Sequence, residues 1–216
     1  MNHKKVARIM RQEGLRGVPK KRFRGSTTRT DPSQCVAPER VGRNFDVSEP
    51  NTVWVGDITY LRLGGGWAYL AVLIDLYSRK VVGWAIEDHM RTELVAAAFN
   101  QAVALRRPAP GLIHHTDRGA QYASDRYLEL LDKAGVVQSM SRKANCWDNA
   151  VAESFFGTLE QELIQGRSFT SLRLARAEIG NYIHRFYNPK RLHSTLGFRT
   201  PLAVETQHQT SKTEAA

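Results

Sequence analysis

From residue 51 the chain alternates apolar and polar positions in steps of two. The stretches "TVWVGDITYLRL" (52–63), "WAYLAVLIDLYS" (67–78) and "RKVVGWAIED" (79–88) therefore predict three consecutive strands. The "GGG" at 64–66 supplies a hairpin turn between the first two. The period then changes. "RTELVAAAFNQAVALR" (91–106) is built from good helix formers and is ended by "RPAPG", after which "GLIHHT" (111–116) is a short apolar strand. A second helix starts near Ser124 or Asp125 and stops at Gly135, "VVQSM" (136–140) is a fifth strand, and "NAVAESFFGTLEQEL" (149–163) is a third helix. A last helix covers roughly 171–187. The order βββαβαβα predicts an α/β fold, a mixed five-stranded sheet flanked by helices, with parallel pairing in its second half.

Three carboxylates interrupt this pattern. Val53, Val55, Asp57, Thr59 and Leu61 share one face of the first strand, so Asp57 sits in an apolar row; either that face is solvated there or the carboxylate is paired with something cationic. Asp117 follows the strand "GLIHHT", at the carboxyl end where open α/β sheets gather ligands, with Gly119 permitting a tight turn. On the helix 149–163, Val151, Ala152, Phe155, Phe156, Leu159 and Leu163 fall on one arc of about 140°. Asn149, Glu153 and Glu160 lie within about 40° of each other along its edge, so Glu153 borders the core. Two strand aspartates and a helix-edge glutamate that converge without an intervening base need a divalent cation. Carboxylate oxygens suit Mg²⁺ or Mn²⁺, and a pair of ions about 3.5–4 Å apart can clamp the attacking and leaving oxygens of a phosphoryl displacement.

The charge points to the substrate. Residues 1–30 hold ten Lys and Arg against one acid, Glu13, and so carry nine of the chain's ten net positive charges. A basic arm on a nearly neutral globule is the layout of a nucleic-acid binder, because each neutralised phosphate releases a counterion. "NHKKVARIMRQEGLRG" reads as a short helix, about 3–13, capped by Asn2, with Lys4, Lys5, Arg8 and Arg11 offered to phosphate. Residues 18–50, with Lys20, Lys21 and Arg22, show no period and read as an extended basic linker. Cys35 and Cys146 have neither disulfide-framework nor zinc-site spacing. The longest apolar run, "YLAVLI", is too short to span a bilayer, and the N-terminus lacks the apolar core of a secretory signal.

Taken together, "VWVGDITYL", "IDLYSR", "HHTDRGAQY", "SRKANCWDNAVAESFFGTLEQEL" and "YNPKRLHSTLGFRTP" resemble the catalytic core of bacterial insertion-sequence transposases of the OrfB type, close in design to retroviral integrase. The resemblance covers about residues 45–205, and the 35 residues between Asp117 and Glu153 match the family's Asp-Asp-35-Glu spacing. It implies a ribonuclease-H-like fold, Asp57, Asp117 and Glu153 as catalytic metal ligands for two Mg²⁺ or Mn²⁺ ions, and DNA cleavage at element ends followed by strand transfer into target DNA. It further implies homo-oligomers on DNA, an OrfA-type partner encoded upstream, and a cytoplasmic, nucleoid-associated bacterial protein. The expected division is a helix-turn-helix remnant (1–17), the linker (18–50), an integrase-like core (51–205) and a disordered tail (206–216). Relatives have a longer N-terminal DNA-reading region, so the chain is expected to begin partway into it. Glu160 stands where the family usually carries a basic residue, with Arg142 and Lys143 as substitutes for DNA contact. Asn149, Arg191 and His193 are further candidate DNA contacts. Asp75 is expected either near the metal or paired with Arg79; His114 and His115 are expected to be a packing pair and a DNA-facing side chain. Two rivals share these residues, a nuclease of the same fold without strand transfer and a non-catalytic DNA-binding remnant.

Overall fold

The computed structural model describes residues 2–16, 36–42, 47–142 and 149–214. Lys20, Lys21, Arg22 and Lys143 lie outside these residues. Helix α1 (His3–Gln12) forms where expected, with Asn2 Oδ1 accepting the Lys4 N–H at 2.9 Å; none of its residues is buried. The core follows as β1 (Val53–Leu63), β2 (Gly66–Asp75), β3 (Val81–Glu87), α2 (Thr92–Arg106), β4 (Ile113–Thr116), α3 (Asp125–Lys133), β5 (Val137–Met140), α4 (Ala150–Leu159), α5 (Leu172–Tyr182) and α6 (Pro201–Glu214).

The sheet order is β3-β2-β1-β4-β5. The first three strands form an antiparallel meander, while β1, β4 and β5 pair in parallel. Strand alternation divides the core into two layers. Val53, Val55, Leu61, Leu70, Val72 and Ile74 pack against α4 and α5 through Ala152, Phe155, Leu159, Ile179 and Ile183. Trp54, Ile58, Ala71, Leu73 and Val82 pack against α2 and α3 through Leu94, Phe99, Ala102, Tyr127 and Leu131. Glycine permits two close approaches: a Cβ at Gly83 would lie 2.3 Å from the Ala98 carbonyl of α2, and one at Gly56 would lie 2.7 Å from the His114 ring. Both α4 and α5 end in a π-helical turn, Glu160–Ile164 and Ile183–Tyr187.

Two expected boundaries move. Within the stretch read as linker, Val41 is buried in the core, and the Arg40 N–H donates to Ser139 Oγ at 2.9 Å. The tail read as disordered from 206 is helical to Glu214 as the continuation of α6. That helix is fixed by Glu205, only 4% exposed, whose carboxylate accepts from Arg106 at 2.7 and 2.8 Å and from Lys80 at 2.7 Å. Farther along, His208 packs on the Tyr77 ring and Lys212 pairs with Glu49.

Candidate active site

Asp57 lies on the β1 face that α4 covers, because Val55 and Leu61 of the same alternating row pack with Ala152 and Phe155. The parallel register pairs Val55 with His115, so Asp57, within β1, and Asp117, just past the end of β4, each two residues further along, come level. Helix α4 begins beside them: Asn149 Nδ2 donates to the Gly56 carbonyl at 3.3 Å, and Glu153 stands one turn further on. Backbone amides fix one oxygen of each aspartate. The Ile58 N–H donates to Asp57 Oδ1 at 2.8 Å, and the Gly119 N–H donates to Asp117 Oδ1 at 3.0 Å. Arg118 ties the Asp117 loop to the end of β5 by donating Nε–H to the Ser141 carbonyl at 2.7 Å.

The three carboxylates share one electrostatic neighbourhood. Burial pushes Asp57 well above the ordinary carboxylate range, and the charges of Asp117 and Glu153 push it further, against the opposing Ile58 hydrogen bond. Burial of the carboxyl also raises Glu153, although the residue as a whole is exposed on α4. Tyr122, buried in the opposite core layer with His114 and Tyr127, has its phenol raised by burial first and then by Tyr127, Asp57 and Asp117. The groups that shift Asp57 among the described residues are acids and a backbone amide. Carboxylate oxygens are hard donors, which suit Mg²⁺ or Mn²⁺. Among the described residues, three ligand-type atoms drawn within 4.8 Å of one another occur at Glu87, Asp88 and His89, where Glu87 already pairs with Arg176 at 2.9 Å. The triad is a wider arrangement than that.

The sequence of this chain is similar to known proteins over nearly its whole length. The integrase core domain family matches residues 47–146, and a second integrase core domain family matches residues 134–201. The transposase for insertion sequence element IS904 of Lactococcus lactis subsp. lactis is 42% identical over 204 residues, covering 94% of this chain and 80% of that protein. Transposase InsF for insertion sequence IS3A of Escherichia coli is 41% identical over 207 residues, covering 96% and 72%. The chain belongs to the insertion-sequence transposases. It is a DNA transposase, a polynucleotidyl transferase built on an integrase core. Its fold is the ribonuclease-H-like fold of retroviral integrase cores. The HTLV-2 integrase catalytic core domain in complex with magnesium superposes with a TM-score of 0.55 at 20% identity, over 72% of this chain and 97% of that one. A simian T-cell lymphotropic virus intasome chain superposes with a TM-score of 0.61 at 17% identity, over 82% of this chain and 60% of that one.

The transposase engages several of the other candidates inside its own fold. Asn149 is 5% exposed and bonds to Gly56; it neither caps α4 with its side chain nor faces outward. Arg191 pairs with Glu162 at 2.9 Å and lies over the Tyr187 ring. His193 stacks edge-on against Tyr187, and burial followed by the Arg191 charge lowers it to about 4, so it is neutral near pH 7. Lys4, Lys5, Arg8, Arg11 and Arg142 are exposed. The expectation that one of the two strand histidines faces DNA is corrected: His114 and His115 are both fully buried, against Tyr127 Oη at 2.8 Å and Ser139 Oγ at 2.9 Å. Asp75 is likewise structural. Its carboxylate accepts the Asn51 N–H at 2.6 Å and the Ser78 N–H at 3.0 Å, at the level of Trp54 and below the triad. Glu160 accepts the Gly166 N–H at 3.0 Å and so closes the end of the π-helical turn, which accounts for an acid at that position. Sequence reasoning did not single out Tyr122; it follows Asp117 in the run "DRGAQY", and its ring packs with His114 and Tyr127 beneath that loop.

Proposed function

We propose that Asp57, Asp117 and Glu153 hold divalent cations, Mg²⁺ or Mn²⁺ and two in number, and that the transposase uses them to cleave DNA at insertion-element ends and to join the freed ends to target DNA. The observation that carries this reading is the β1–β4 register, which brings Asp57 and Asp117 level beside the start of α4 and Glu153; burial first, and then the two neighbouring acids, raise Asp57 there. Bound there, the ions would activate the attacking oxygen and stabilise the leaving oxygen of an in-line displacement at phosphorus. The protein's own residues set the geometry. The Ile58 and Gly119 amides hold the two aspartates in fixed rotamers, Arg118 holds the loop that carries Asp117, and Asn149 ties the start of α4 to β1, which keeps Glu153 opposite Asp57.

Cleavage adds water across the phosphodiester and leaves a 3′-hydroxyl at the element end. In joining, that hydroxyl oxygen attacks a target phosphodiester, one P–O bond forms as another breaks, and the displaced strand leaves with the proton. No covalent link to the protein is required. The exposed cations of α1 fit a phosphate-holding role, since such contacts position DNA without reading its sequence. By the same reading the transposase works as a homo-oligomer on DNA and with an OrfA-type partner. Among the described residues no helix is long and apolar enough to cross a membrane.

The test is incubation of the full chain with Mn²⁺ and a target plasmid, using an intact element end to read cleavage and a pre-nicked end to read joining. Joined products are expected. Cleavage without joining would make the protein a nuclease of this fold, and neither product would make it a DNA-binding remnant.

A further inference from the structure

The turn between α5 and α6 presents a surface that the triad does not use. From His184 to Val204 there is no Asp or Glu, and the segment carries Arg185, Lys190, Arg191 and Arg199. Arg191 is neutralised by Glu162, whereas Arg185 and Lys190 are exposed and make no side-chain ion pair among the described residues. Arg199 is also exposed, held by the Leu196 carbonyl and by Gln207. Interleaved with these cations are three apolar side chains in water: Phe186 at 42% exposure, Leu192 at 58% and Phe198 at 70%.

Phe198 is the informative residue. Its φ is +57°, a left-handed conformation that bulky side chains rarely adopt, and its ring stands 70% exposed, so little burial offsets the strain. The conformation is nonetheless enforced. The Phe198 N–H donates to the His193 carbonyl at 2.8 Å, the His193 N–H to the Arg199 carbonyl at 3.1 Å, and the Gly197 N–H to the Ser194 carbonyl at 3.1 Å. The turn is anchored below by Leu196, which is buried, and by Tyr187 against His193. A fold that holds an aromatic ring out into solvent in a strained conformation, between unpaired cations, has the composition of a stacking platform with phosphate contacts around it.

We propose that this turn is a second DNA-contacting surface of the transposase, in which Phe198 stacks on an unpaired base and Arg185, Lys190 and Arg199 contact the flanking phosphates. The proposal rests on the DNA transposase function and is independent of the triad. The occupant is nucleic acid rather than a second copy of the chain because residues 184–204 contain no acid and the charge of Arg185, Lys190 and Arg199 has no carboxylate against it among the described residues, so two copies facing each other would repel.

Binding of a labelled forked duplex and of a blunt duplex is measured with the full chain in EDTA, where no catalysis can contribute. Phe198→Gly removes the ring and relieves the left-handed strain, so the melting temperature is expected to hold or rise while affinity for the fork falls about tenfold relative to the blunt duplex. Phe198→Leu keeps the bulk and the strain and is expected to lose the same discrimination, whereas Phe198→Tyr is expected to retain it. Replacing Arg185, Lys190 and Arg199 together by Ala is expected to lower the slope of log affinity against log salt by about 2 on the single-stranded arm. Unchanged fork affinity in either the Gly or the Leu variant would overturn the proposal. So would a loss of self-association in those variants at unchanged DNA affinity, which would assign the surface to a second copy. Loss of joining in triad variants tests the other reading and leaves this one untouched.

Discussion

Replacing Gly56 by Ala tests how the sheet holds the two aspartates level. The added Cβ would stand 2.7 Å from His114 Cε1 and 3.3 Å from both His114 Nε2 and Thr116 Cγ2. Ordinary carbon contacts lie at about 3.5–4.0 Å, so the ring would have to retreat by roughly 1 Å. It cannot do so freely: His114 is fully buried, its Nε2 is held 2.8 Å from Tyr127 Oη, and Phe99, Tyr122 and Tyr127 surround it. Overpacking of this kind costs about 1–3 kcal/mol, which for a chain of this size lowers the melting temperature by roughly 2–12 °C. The strain would fall on the β1–β4 pairing that sets Asp57 against Asp117, so joining activity should fall together with stability. Denaturant titration of Gly56→Ala, His114→Ala and the double variant provides the assay. The double variant should be more stable than the sum of the two single losses by about 1 kcal/mol or more, because removing the ring vacates the space the methyl needs. Strict additivity, or a neutral Gly56→Ala, would refute the contact as the reason for glycine.

Two further outcomes follow from buried charges. Burial lowers His114 to about 3, so the native state keeps it neutral while the unfolded chain protonates near 6.5. Stability from this group is therefore intact above about pH 6.5 and is lost as pH falls toward 3, by about 1.4 kcal/mol per pH unit; denaturant titrations of His114→Gln should show a shallower pH slope across that window, and an unchanged slope would remove His114 as its source. Glu205→Gln should cost about 2–3 kcal/mol, less than the 3–5 of a fully buried pair because Lys80 and Arg106 keep 22% and 15% side-chain exposure. It should also release α6 to proteolysis ahead of the core, and uniform protection of residues 206–214 in the variant would contradict that anchoring role.

Much of this architecture was legible from the chain. Alternation in β1 placed Asp57 on the face of Val55 and Leu61, and the hairpin, the helix stops and the parallel half of the sheet followed from local signals. The sequence proposed Asp57, Asp117 and Glu153 as a set from their strand, loop and helix settings together with the family spacing, and the register of β1 with β4 is what brings the two aspartates level. What stayed hidden depended on distant partners. Residues 206–214 are polar without an apolar period, and they are helical because Val204 and Glu205 anchor the preceding turn against residues some hundred positions away. Thr206, Thr210, Ser211 and Thr213 also return their hydroxyls to carbonyls four residues back, which satisfies them within the helix. Asn149 and Arg191 look like DNA ligands in the sequence because their polarity is visible, whereas Gly56 and Glu162, which occupy them, are remote in the chain; His193 is taken up by Tyr187, six residues back across a turn whose geometry the sequence does not display. Val41 packs from an aperiodic stretch that no pattern could assign to the core.

The central claim is that three carboxylates perform the DNA chemistry and do not hold the DNA. The direct measurement compares Asp57→Asn, Asp117→Asn and Glu153→Gln with the unaltered transposase in the Mn²⁺-dependent joining assay, with DNA affinity determined on the same preparations. Each variant should lose detectable cleavage and joining while affinity changes by less than about threefold, because phosphate contact and metal chemistry use different residues. Full joining activity in any one of the three would contradict the account.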